Sequence, residues 1–162
     1  MRRLLLAFAL AAPLLPACTR PQTVEVRVPE APKSIPDLDH FALALNNFAL
    51  LPDGHPNRDS FRGVLIDFLV RYIDRTLGED RPEEAVQALQ FAAGLWRPAE
   101  LRSGRHVEPG LVAAAHRIYA AAAKRGNEGP ALFAAAIEQQ FGDDPARERA
   151  IAAWTEIEGW VV

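Results

Sequence analysis

Cysteine is nearly missing from this chain. The one that occurs is Cys18, so no intramolecular disulfide can staple the fold. An excess of positive charge is missing too: 18 Lys and Arg stand against 21 Asp and Glu, a formal charge of −3. A nucleic-acid binder normally carries a basic face, and that class is set aside. Mild acidity mainly serves solubility. No apolar run reaches the roughly 20 residues that a membrane-spanning helix needs. β-branched residues are few beside abundant alanine, the residue with the best helix propensity. That composition points to an all-α fold. The strand–turn–helix elbow of a serine nucleophile is absent. His40, His55, His106 and His116 are never three or four positions apart, the spacing of a helical metal pair. Asp53, Asn57 and Asp59 lack the spacing and closing Glu of a calcium loop. The sequence calls for no metal and no cofactor.

What is present begins at the N-terminus. Arg2 and Arg3 precede an apolar run, Leu4 to Leu15, and small residues follow. Basic segment, short apolar segment and small-residue cleavage site form the order of a secretory signal. Leu15, Pro16, Ala17 and Cys18 then resemble the lipobox of bacterial lipoproteins, with Pro16 departing from the usual Ala, Ser or Thr. The resemblance implies removal of residues 1–17, a diacylglyceryl thioether on Cys18, and N-acylation of the new terminus. Several acyl chains anchor stably where one is marginal. Thr19 follows the cysteine in place of the Asp linked to inner-membrane retention. The resemblance therefore implies an outer-membrane, periplasm-facing protein. Loss of Arg2 and Arg3 would move the formal charge from −3 to about −5. The alternative is an ordinary cut after Ala17 that leaves a free thiol. In an oxidising compartment such a thiol is a liability that lipidation removes.

Residues 18–35 are expected to form an extended tether. Pro21, Pro29 and Pro32 interrupt it, and Val24, Val26 and Val28 alternate with Glu25 and Arg27 as one isolated strand would. At about 3.1 Å per residue it would reach roughly 50 Å.

Residues 36–162 read as one helical domain. About six antiparallel helices are expected. The first has a capping box at Ser34–Asp37 and a stripe of Leu38, Phe41, Ala42, Leu45, Phe48 and Ala49. The second carries Phe61, Val64, Leu65, Phe68, Leu69, Tyr72, Ile73 and Leu77 inward, with Arg62, Asp67, Arg71 and Asp74 outward. Asp67 and Arg71 are set to pair. The third is capped by Asp80 and runs to Trp96, and residues 101–108 form a loop. The fourth starts near Pro109, the fifth at Pro130, and the sixth after Gly142–Pro145. Starts near 36, 81 and 130 suggest two-helix units of about 45 residues. The layout resembles tetratricopeptide-like α-hairpin repeats. A solenoid-like hairpin stack and an irregular bundle remain the two architectures.

Few residues suggest chemistry. Ser103 and His106 share a loop without a third orienting group. The carboxylate pairs Glu79–Asp80, Glu83–Glu84 and Asp143–Asp144 all lie at helix starts, where capping explains them. Asn46 and Asn47 adjoin an apolar stripe and need partners if buried. Arg97, Arg102 and Arg105, with His106, form a basic turn that could meet an acidic partner. Trp154 and Trp160 either dock on the domain itself or present a contact surface, since tryptophan is enriched at binding hot spots. The expected function is a non-enzymatic, membrane-anchored adaptor or assembly lipoprotein that binds a protein partner, with secretin pilotins as one analogy. The alternatives are an envelope enzyme acting on peptidoglycan, with Asp143 or Glu79 as acids, and a structural spacer.

Overall fold

The computed structural model describes residues 29–159; Cys18, most of the expected tether and Trp160 lie outside the described residues. Seven helices and no strand occur among those described: α1 (Leu38–Leu50), α2 (Asn57–Gly78), α3 (Pro82–Ala93), α4 (Pro98–Arg102), α5 (Pro109–Lys124), α6 (Glu128–Phe141) and α7 (Asp144–Glu158). The fold is all-α. No described helix is long and apolar enough to cross a membrane.

Six of these helices are the expected ones. The seventh, α4, lies where a loop begins in the sequence reading. Pro98 occupies its first turn, and the Glu100 carboxylate accepts from the Arg97 N–H at 2.6 Å. A five-residue helix does not persist on propensity alone. Tertiary contacts of Glu100 hold this one.

Helix boundaries follow local chemistry, with two corrections. Asp37, not Ser34, caps α1: its carboxylate accepts from the His40 N–H at 2.9 Å. Asp80 does not cap α3. It takes a left-handed φ of 61° in the α2–α3 turn, and its carboxylate pairs with Arg125. Asp143 caps α7 as expected, accepting from the Ala146 N–H at 3.0 Å. After α5, Gly126 turns the chain at a φ of 64°, and the Asn127 N–H returns to Ala122 O at 3.0 Å. Glycine tolerates that conformation without steric cost.

With α4 set aside, each substantial helix pairing joins neighbours or next-but-one neighbours in chain order. α1 packs on α2, α2 on α3 and α5, α3 on α5 and α6, α5 on α6, and α6 on α7. The main core runs from Phe61, Leu65 and Ile73 through Leu89, Leu111 and Ile118 to Phe141, all fully buried. A small satellite joins Ala122, Ala131 and Ile157.

The segment before α1 belongs partly to this core. Ile35 is fully buried, Arg71 Nη2 donates to its carbonyl at 3.2 Å, and Asn57 Nδ2 donates to Pro29 O at 3.3 Å. Residues 29–35 thus lie along α2.

α1 buries a different stripe from the one its sequence suggests. Ala44 and Phe48 are buried, Phe41 and Leu45 half-buried, while Leu38, Ala42 and Ala49 are exposed. α1 packs chiefly on α2, so a narrow seam suffices for it. Leu132 on α6 and Ile151 on α7 are partly exposed.

Candidate functional site

The most unusual chemistry lies where the start of α2 meets α4. Arg58 and Arg62 are 3% and 6% exposed, although Arg62 was expected on the polar side of α2. A buried cation needs partners. Arg58 Nε donates to Glu100 Oε1 at 3.2 Å, and Arg62 Nη2 donates to the same oxygen. Arg58 Nη1 donates to Leu51 O at 3.0 Å. The Arg58 guanidinium lies 4.3 Å from the Phe48 ring centroid, and that of Arg62 lies 5.0 Å from Trp96, so cation–π attraction adds to the ion pairs. Burial pushes the Glu100 carboxyl up. The Arg97 amide and the two guanidiniums pull harder, and the net pKa is lowered. This network pins the α1–α2 turn and α4 to α2. Beside it opens a cleft of about 500 Å³, lined by Asp53, His55, Arg58, Asp59, Ser103 and His106 among others.

The basic turn read from the sequence is largely spoken for. Arg97 pairs with Asp53 at 2.7 Å, and Arg105 pairs with Asp144 at 2.7 Å. Arg102 is exposed. The three do not form one free basic patch. Trp154 is half-buried and donates from Nε1 to Leu132 O at 3.2 Å, docking α7 on α6. Ser103 donates its hydroxyl to Glu100 O at 2.7 Å, and His106 Nε2 lies 2.9 Å from the same carbonyl. Both serve α4 and do not form a nucleophile–base pair. Asn46 is exposed and Asn47 half-buried.

The expected carboxylate pairs divide among structural roles. Glu79 and Glu84 both pair with Arg81, and Tyr72 donates to Glu84 at 3.0 Å. Burial raises the pKa of two carboxyls that the sequence reading did not single out, Glu108 and Glu138; the Glu138 side chain is 4% exposed beneath His116 at 3.0 Å. At Glu138 burial works against the opposing pull of His116 and Arg149. Near it, α5 and α7 flank an apolar-walled cleft of about 470 Å³. Among the described residues, no group of three or more His, Cys, Asp and Glu is placed to hold a metal.

The second notable surface is apolar. From Phe41 to Leu50 α1 has no charged residue. Leu43 and Leu50, 60% and 80% exposed, share its outer face with Asn46 by helical spacing. On the opposite side of α1, turned toward α2, Phe41 stacks on Phe68 at 4.9 Å and meets Phe91 at 5.9 Å. These rings line a groove of about 360 Å³ between α1 and α3, with Leu38 and the partly exposed Phe91 at its rim.

Comparison with protein-family models, with curated proteins and with solved structures finds no match to the chain.

Proposed function

We propose that this chain is a lipid-anchored, non-enzymatic adaptor that holds a protein partner at the periplasmic face of a bacterial outer membrane, in the manner of a pilotin. The observation that carries the reading is the uncharged outer face of α1, where Leu43 and Leu50 stand exposed on the side of the helix away from the Phe41–Phe68–Phe91 groove. Exposed leucines on a helix supported from one side only make a surface that a partner can cover. The occupant that fits is an apolar face of a partner's amphipathic helix, laid alongside α1 over Leu43 and Leu50. The lipobox-like Leu15–Cys18 supplies the address.

The envelope-hydrolase alternative draws little support from the site. Its two candidate acids are engaged, Asp143 as a cap and Glu79 with Arg81. Glu138 has the raised pKa useful to a general acid, but its carboxyl is almost wholly enclosed.

The test uses the full chain with a C-terminal tag, expressed in a diderm bacterium beside Cys18→Ser and Leu43→Glu/Leu50→Glu variants. The adaptor reading expects one or two near-stoichiometric envelope proteins to co-purify. They should drop away in the leucine variant, and the Cys18→Ser protein should leave the membrane fraction. Equal recovery with the leucine variant would overturn the assignment of the surface. An unchanged membrane fraction for Cys18→Ser would overturn the anchor.

A further inference from the structure

The segment before α1 fixes where the chain enters the domain. Pro29 and Ala31 are half-buried and Ile35 is fully buried, while Glu30, Pro32, Lys33 and Ser34 are exposed. Ala31 packs against the main core. Both ends of the segment are clamped to α2. Asn57 Nδ2 donates to Pro29 O at 3.3 Å, and Arg71 Nη2 donates to Ile35 O at 3.2 Å. From Asn57 to Arg71 a helix rises about 21 Å, and residues 29–35 in extended form cover about 22 Å. Pro29, Pro32 and Pro36 have no N–H to satisfy and a fixed φ, which lowers the entropy lost on docking. Residues 29–35 are therefore a strap of the folded domain. The chain toward Cys18 leaves at the first turn of α2.

The two ends of α2 stand far apart, since its 22 residues rise about 33 Å. Beside its start lie Leu51, whose carbonyl accepts from Arg58, and α4, held through Glu100. At its other end Gly78 leads to Asp80, which pairs with Arg125 beyond α5. Leu38 shares a groove with Tyr72, so α1 runs antiparallel to α2 and Leu50 lies toward the α2 start. Residues 19–28 alone separate Cys18 from Pro29; fully extended they span at most about 40 Å. A tether of that reach, attached at one end of the domain, keeps that end closer to its anchor on average.

We infer that the end of the domain carrying the α1–α2 turn and α4 faces the lipid surface, and that the end carrying Gly78 and Arg125 faces away. The inference rests on the lipid anchor of the adaptor reading. It adds that a partner laid along Leu43 and Leu50 is met with Leu50 nearer the bilayer.

The test uses the full lipidated chain in phosphatidylcholine vesicles that carry an acceptor dye on a headgroup. Cys18 is the one native cysteine and the lipid occupies its thiol, so an introduced cysteine takes a single donor dye. Leu50→Cys and Gly78→Cys place that dye at the two ends. Leu50 is 80% exposed, and a Cβ on Gly78 meets nothing within 4 Å. Energy transfer should be at least about twofold greater from position 50 than from position 78, given the length of α2 between them. A flexible Gly/Ser insertion between Val28 and Pro29 lengthens the tether outside the strap and should narrow that gap. Ile35→Asp releases the strap and should narrow it too; if melting shows that this variant does not fold, the insertion decides alone. Equal transfer from both positions of vesicle-bound protein, or more from position 78, would overturn this inference and leave the anchor standing. So would a gap that the insertion leaves unchanged. Protein that fails to float with the vesicles would overturn the anchor, and this inference with it.

Discussion

Arg58 Nε donates to Glu100 Oε1 at 3.2 Å, joining the first turn of α2 to the short helix α4 across 42 positions of sequence. Arg62 converges on the same oxygen, so one carboxylate holds two guanidiniums. Removing it should be costly, because each cation would keep its desolvation penalty and lose its counter-charge. Glu100→Gln is expected to lower unfolding stability by about 3 kcal/mol, the low end for a broken buried pair, since Glu100 is 20% exposed. Urea unfolding of the two proteins measures this. The lowered pKa of Glu100 fixes the sign with pH. Its stabilisation is present above the usual carboxylate range and is lost as pH falls through the folded value. The gap between the two proteins should therefore narrow in acid.

Glu138 should behave in the opposite sense. Burial raises its folded pKa above the usual value of 4.5. The folded state therefore prefers the proton, and that contribution is present below 4.5 and lost as pH rises through the folded value. Glu138→Gln cannot ionise. Relative to the parent, its melting temperature should improve steadily from pH 4 to pH 7, even though it forfeits the pairing with His116. Melting curves of both proteins across that range decide it. A constant difference would mean that Glu138 titrates normally.

The α6–α7 corner is tight. A Cβ on Gly142 would run into Glu138 O and come within 2.6 Å of Ala146 Cβ. Gly142→Ala should therefore destabilise by about 1–3 kcal/mol through overpacking. Asp143→Ala, which removes the α7 cap, should cost about 1 kcal/mol. Equilibrium denaturation of the two variants should rank them in that order.

The outer face of α1 should be nearly silent for stability. Leu43→Glu and Leu50→Glu change exposed side chains, and each should shift unfolding by less than about 0.5 kcal/mol. Phe48→Ala, on the buried face of the same helix, should cost about 3–5 kcal/mol. A large loss from Leu43→Glu would show that the face is packed against the rest of the chain.

The helical class and most helix ends were legible because they are local. Alanine content, proline in first turns, the Asp143 cap and the Gly142 stop act within a few residues of themselves. The paired Asp67 and Arg71, at 3.1 Å, were legible for the same reason. The arginine network was not, since its acid lies 38 and 42 residues away from its bases. One sign was available. Arg58 and Arg62 continue the buried stripe of Leu65, Leu69, Ile73 and Thr76 at spacings of three and four. Reading them by charge placed Arg62 outward; reading them by register would have placed both inside. The exposed side of α1 was misjudged for a related reason. Its apolar residues surround most of the helix, so periodicity could not say which seam α2 would take. Glu100 made a helix of a segment whose turn chemistry suggested a loop.

The most direct test of the adaptor account is site-specific photo-crosslinking in intact cells. A photoreactive residue would replace Leu43, on the outer face of α1, or Glu148, exposed on α7. The account predicts one discrete crosslinked species from position 43, absent from position 148 and lost with Cys18→Ser. No adduct at position 43, or the same adducts from both positions, would contradict it.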